Sequence, residues 1–191
     1  QQVSSAASDV YKRQIPVTQT VMGYSTMKRD HSHFAGQIGG LGGKNTNTLA
    51  KETDLAIAVG TKLADFTTGS WANFENKNFK LVSINVSRFD ANKHLAQAVV
   101  GDAKVSLTEL SQALGNWKAE EEWNKKSQTE LQSWNEHIDK ESAPTNQEVP
   151  SYVQVIGAIY RNSDPTDIAV TAAGGLVCLL YTSPSPRDTR E

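Results

Sequence analysis

Three stretches of the chain carry residues whose type and spacing could do chemistry. The first is Gly36-Gln-Ile-Gly-Gly-Leu-Gly-Gly-Lys-Asn-Thr-Asn47, with five glycines in eight positions. Backbone N–H groups can approach an anion closely where no Cβ intrudes, so the run invites a phosphate-loop reading. The spacing does not support it. A dinucleotide fingerprint starting at Gly40 and Gly42 requires glycine where Asn45 stands. A P-loop ending at Gly43-Lys44 requires glycine at Ile38 and Ser or Thr at Asn45. The expectation is a flexible glycine loop leading into a helix capped by Asn45 or Thr46, with Leu49 and Ala50 facing inward.

The second stretch is Gly60 to Trp71. It holds four hydroxyls (Thr61, Thr67, Thr68, Ser70), one carboxylate (Asp65) and two aromatics (Phe66, Trp71). It follows Leu55 to Val59, a short apolar run that reads as a strand buried on both faces. Chain leaving the carboxyl end of a parallel strand lines the crevice where open α/β sheets place ligands. The expectation is a loop that caps the sheet and packs Phe66 and Trp71 into an interface, ahead of direct ligand contact. The third stretch is Ala173-Gly-Gly-Leu176, after the strand-like run Asp167 to Ala172. Its small residues make it the better phosphate-contact candidate of the two glycine stretches.

The elements that must position these residues follow from pattern. Ile15 to Thr18 reads as a strand, with Pro16 suited to its first residues. This abrupt start suggests that an earlier strand and helix belong to the domain. Val21 to Ser32 reads as a loop. Lys80 to Val86 is a second buried-type strand, Arg88 to His94 another carboxyl-end loop, and Gln97 to Asp102 a short strand and turn. Asp102 caps a helix whose apolar face is Val105, Leu107, Leu110, Ala113 and Leu114, and Gly115 ends it. This order indicates a parallel sheet with crossovers.

Asn116 to Glu148 holds four Lys and eight Asp or Glu. Its thin stripe of Trp123, Leu131, Trp134 and Ile138 suits a helix laid along a surface, with His137 solvated. Pro144 marks a boundary. Pro150 or Ser151 then opens a helix carrying Val153, Ile156 and Ile159, and Asp164-Pro165 breaks the chain.

Composition bounds the rest. The chain of 191 residues is 38% hydrophobic with a net charge of −2. No apolar run approaches the roughly 20 residues of a membrane span. No basic footprint points to nucleic acid. The single cysteine, Cys178, leaves the interior without a disulfide framework or a Cys-based zinc site, which suits a cytoplasmic protein. Residues 1–14 and 178–191 resemble translated adapter sequence and are set aside from the fold.

The pattern Gly-x-x-Gly-x-x-Gly…Asn…Leu-Ala…Thr53-Asp-Leu-Ala-Ile-Ala-Val-Gly-Thr-Lys-Leu-x-Asp-Phe66 is similar to the central domain of thiamin-diphosphate-dependent enzymes of the acetolactate synthase and pyruvate oxidase group. Asp65-Phe-Thr-Thr-Gly-Ser-Trp71, Phe89-Asp-Ala-x-Lys-His94, Val100-Gly-Asp-Ala103, Ala113-Leu-Gly-x-Trp-Lys118, Val149 to Ala158 and Val170 to Leu176 more closely resemble a hydrolase branch of that family. The resemblance implies an α/β fold: a Rossmann-like parallel sheet plus the start of a second α/β domain. The implied division is a partial central domain at 15–116, a linker helix and loop at 117–149, and the start of a diphosphate-binding domain at 150–177.

The resemblance also implies thiamin diphosphate and Mg2+ as cofactors, most of whose site lies outside this stretch. It implies a small cyclic polyol-derived dione from myo-inositol catabolism as substrate, opened by C–C cleavage and water, and a homo-oligomer as the whole enzyme. Only Thr171, Ala172, Ala173, Gly174 and Gly175 match a family segment near the diphosphate, and no catalytic or metal-binding residue carries over. The stretch alone is then expected to be inactive and marginally stable. Two alternatives remain: an acetolactate synthase-like relative carrying a flavin, or a non-catalytic nucleotide-binding domain.

Overall fold

The computed structural model describes residues 13–24, 26–164, 167 and 174. Among the described residues five strands carry the fold: β1 (Val17–Gln19), β2 (Phe34–Gln37), β3 (Leu55–Val59), β4 (Lys80–Asn85) and β5 (Gln97–Val100). They pair as a two-stranded sheet, β1-β2, and a three-stranded sheet, β3-β4-β5, and every pairing is parallel. Helix α1 (Lys44–Glu52) crosses from β2 to β3. A single turn, α2 (Asp65–Thr68), follows β3, and another, α3 (Arg88–Ala91), follows β4. The longer helices are α4 (Ala103–Leu114), α5 (Glu121–Glu141) and α6 (Tyr152–Asn162). The α/β class and the parallel sheet agree with the sequence.

Four local expectations need correction. First, the glycine run is not wholly loop, because its opening residues complete β2, all four of whose residues are buried. Second, α1 is capped by Gly43 rather than by Asn45 or Thr46. Both of those side chains instead donate to the Ala35 carbonyl, at 3.1 and 2.8 Å, which ties the start of the crossover helix to β2. Third, β3 is not buried on both faces, and among the described residues it pairs with β4 alone. Leu55 is 48% exposed and Ile57 is half-buried. Fourth, Val105 and Ala113 face solvent, and Leu107 packs inward with Leu110 beside it. In addition, Val86 lies beyond β4 and is exposed.

Other boundaries match their signals. Asp102 accepts from Val105 N at 3.0 Å and caps α4, which Gly115 closes at φ +55°. Ser151 and Gln154 form a capping box at the start of α6. The acidic helix α5 does lie along a surface. It packs on α1 and β2, with Ser127 and Ile138 buried. Gln128 Nε2 donates to the Phe34 carbonyl at 3.3 Å, and Lys126 pairs with Glu52. His137 is exposed beside the Trp134 ring. The strand expected at Asp167 to Ala172 and the break at Pro165 fall outside the described residues, apart from Asp167.

The β1–β2 connection meets α5 through His33, which also bonds its neighbour His31. His33 N donates to His31 Nδ1 at 3.1 Å, and His33 Nδ1 lies 3.1 Å from Asn124 Oδ1. Burial, then the neighbouring His33, hold the His31 pKa below its ordinary 6.5, while Asp30 acts in the opposite direction. The unfolded chain therefore binds more protons between the lowered value and 6.5. His31 thus makes stability rise with pH through that window and fall as pH drops. Urea midpoints taken from about pH 5 to 7 should rise with pH, and His31→Gln should flatten the slope. An unchanged slope would assign it to other groups.

Candidate functional site

The carboxyl ends of β2, β3 and β4 converge through their loops. After β2 the glycine turn folds over the strand end, and its N–H groups find partners within the protein. Gly39 N donates to Asn47 Oδ1 at 3.0 Å, Gly40 N to the Phe66 carbonyl at 2.7 Å, Gly42 N to Gly39 O at 2.9 Å and Gly43 N to Gln37 O at 3.0 Å. Asn47 returns a bond to the Gly39 carbonyl and accepts one from Asn73, at 2.9 and 3.1 Å. The turn is thus a clasp between loops and not an anion cradle. This agrees with the failed phosphate-loop spacing.

The loop after β3 is built around Thr68, which is fully buried. Its hydroxyl donates to the Ala64 carbonyl at 3.4 Å and accepts from Trp71 N at 3.2 Å. These bonds hold Gly69, Ser70 and Trp71 in succession at φ +60°, +53° and +70°. Left-handed backbone costs on the order of 1–2 kcal/mol per non-glycine residue, so the surrounding bonds must impose it. Trp71 lies against the cluster of Ala58, Leu63 and Leu81. Phe66 does not pack as expected; it is 75% exposed, because the α2 turn directs it outward while its carbonyl holds Gly40.

The loop after β4 supplies the other side. Ser87 caps α3, and Lys93 pairs with Asp90 at 2.6 Å while lying over the Phe89 ring. The Lys93 and Ser87 hydrogen bonds hold the Asp90 carboxyl below its usual range. His94 and Leu95 are also left-handed, at φ +60° and +57°, and the His94 ring stands 4.4 Å from that of Trp71. Asn85 joins the loops by donating to the Thr61 carbonyl at 3.2 Å and accepting from Ser87 N at 2.9 Å. The two strained loops therefore meet in one aromatic contact.

Thr68→Val should remove the donor to Ala64 and leave Trp71 N unpaired. The expected loss is about 1–3 kcal/mol, read as a lower urea midpoint. A neutral outcome would mean that Thr68 does not hold the turn.

Among the described residues no group of three His, Cys, Asp or Glu could hold a metal ion, and the glycine turn does not fit a diphosphate. Of the sequence candidates for cofactor contact, Thr171, Ala172, Ala173 and Gly175 lie outside the described residues. Gly174 is described, and open space surrounds the position a Cβ would take. Sequence reasoning missed Asn47 and Asn73, the amides that fasten the loops. The only signal was the Asn-Thr-Asn sequence after the glycines. Among the described residues no helix is long and apolar enough to cross a membrane.

This arrangement of parallel strands and carboxyl-end loops accords with the comparison by sequence. Residues 5–110, more than half of the chain, match the central domain of thiamine pyrophosphate enzymes, and the chain belongs to that family. A 124-residue stretch is 36% identical to 3D-(3,5/4)-trihydroxycyclohexane-1,2-dione hydrolase of Clostridium perfringens strain 13, covering 65% of this chain and 19% of that protein. A 96-residue stretch is 44% identical to 3D-(3,5/4)-trihydroxycyclohexane-1,2-dione hydrolase 2 of Bacillus cereus strain ZK, covering 50% of this chain and 15% of the relative. The match therefore spans less than a fifth of the length of these relatives.

Proposed function

We propose that this chain is part of a thiamin-diphosphate-dependent hydrolase that opens 3D-trihydroxycyclohexane-1,2-dione to 5-deoxy-glucuronate in myo-inositol catabolism. The observation that carries this reading is the 44% identity over 96 residues to a relative named for hydrolysis of that dione. In this reading residues 15–116 are the central domain, 117–149 a linker, and 150–177 the start of the diphosphate-binding domain.

By the family resemblance Thr171, Ala172, Ala173, Gly174 and Gly175 would contact the diphosphate, and groups outside this stretch would hold Mg2+. When bound, the cofactor supplies the electron sink for C–C cleavage. The described residues contribute the parallel strands and, at their carboxyl ends, the loops that hold Ser70, Trp71, His94 and Leu95 in left-handed backbone. The substrate is a small molecule, and the whole enzyme is a cytoplasmic homo-oligomer.

The test uses the full-length gene product, purified and supplied with thiamin diphosphate and Mg2+. Conversion of the cyclic dione to 5-deoxy-glucuronate is expected, from a colourless protein, while the 191-residue chain alone should be inactive. Acetolactate formation from pyruvate, or bound flavin, would instead assign the enzyme to another branch of the family.

A further inference from the structure

Helix α6 meets the end of α5 at closer range than ordinary side chains allow. A Cβ at Gly157 would stand 2.5 Å from the Ser142 carbonyl oxygen and 2.7 Å from the Ser142 Cβ. Alanine is the better helix former, so the contact, and not the helix, accounts for glycine here. Ser142 closes α5, and its N–H returns to the Ile138 carbonyl at 2.9 Å. The Ser142 carbonyl itself lies past the last helical bond, at the negative end of the helix dipole. Arg161, one turn beyond Gly157 on α6, donates Nη1 to that carbonyl at 2.8 Å. The last turn of α6 thus brings a cation to the end of α5.

The chain between the helices does not set their angle, because Ala143 to Pro150 is exposed throughout. Helix α6 is itself well defined. A capping box fixes its start, and Ile156 is 1% exposed. Its far end leads into residues 163–175.

We infer that Arg161 is a positioning residue. With Gly157 it locks α6 to the end of the linker helix, and so sets the direction in which the chain leaves for residues 171–175. The inference rests on the proposed reading of those residues as diphosphate contacts. Arg161 touches no ligand in this scheme and acts through the Ser142 carbonyl. Without the lock, α6 samples other angles on α5. The apparent affinity for the cofactor then falls with the fraction of molecules still correctly posed.

The test uses the full-length gene product, with thiamin diphosphate as the probe in saturating Mg2+. Arg161→Met keeps the aliphatic stem and removes the donor. Two quantities are measured: amide hydrogen exchange of Tyr152–Asn162 without cofactor, and the Kd for thiamin diphosphate. Exchange should quicken and Kd should rise, each about tenfold, while exchange in Lys80–Asn85 stays as it was. Arg161→Lys should stay within about threefold of the parent in both, since one carbonyl needs only a single point donor. Gly157→Ala should act like Arg161→Met by prising the helices apart. Faster exchange with an unchanged Kd would overturn the inference and leave the proposed function standing. Unchanged exchange in Arg161→Met would overturn it too, by showing that the contact holds nothing. Failure of the unaltered enzyme to bind thiamin diphosphate would overturn both readings.

Discussion

Gly39→Ala is expected to lower stability by about 3 kcal/mol or more. Two effects act together. Gly39 sits at φ +115°, a backbone region that L side chains rarely adopt. A Cβ there would also stand against the Phe66 carbonyl oxygen, well inside van der Waals contact, and near the Cα of Thr67. These obstructing atoms are backbone, so no side-chain rotation relieves the clash. The same carbonyl accepts Gly40 N, and Gly39 itself is held at both N–H and C=O by Asn47. Movement of one loop therefore breaks bonds to the others. A urea midpoint close to that of the parent chain would show that the clasp yields at little cost. As a control, Gly60→Ala has no such neighbour to meet, although φ +65° still adds strain.

Ile84→Ala carries the other large effect, also about 3 kcal/mol. Ile84 is 2% exposed on β4, the middle strand of its sheet, and packs with Leu107, Ile57, Val59 and Leu110. Truncation removes buried methyl groups and leaves a cavity between sheet and helix that α4 can only partly close. Val105→Ala, on the exposed side of α4, should stay within about 0.5 kcal/mol. Equal losses from the two substitutions would refute the assignment of this core.

The elements legible in the sequence were those with one dominant signal. β4 combined β-branched residues with an apolar run, and α4 and α6 carried both a cap and a helical stripe. β2 was not legible because Gly36 and Gln37 give it neither alternation nor a long apolar run. Its burial comes from α1 and α5 packing on it, which is tertiary information. The cap of α1 was misread for a related reason. Asn45 and Thr46 are good caps in isolation, but the Ala35 carbonyl lies within their reach and they bond there. For Leu55 to Val59 the pattern described a strand buried on both faces, whereas Leu55 is exposed and Ile57 half-buried. Of the candidate cofactor segment, only Gly174 lies among the described residues.

The bonds that fasten β2 to the start of α1 also bear on the order in which the chain folds. Ala35 meets Asn45 and Thr46, Gly39 meets Asn47, and Gln37 meets Gly43, all across a handful of residues. Closing a loop of about ten residues takes roughly 10–100 ns, and short closures lose little chain entropy. Pairing β3 with β4 instead joins Leu55 to Lys80 across the whole intervening loop. Residues 34–47 thus form a unit of low contact order, able to assemble before the sheet it serves and to present a preformed corner onto which the later strands can add.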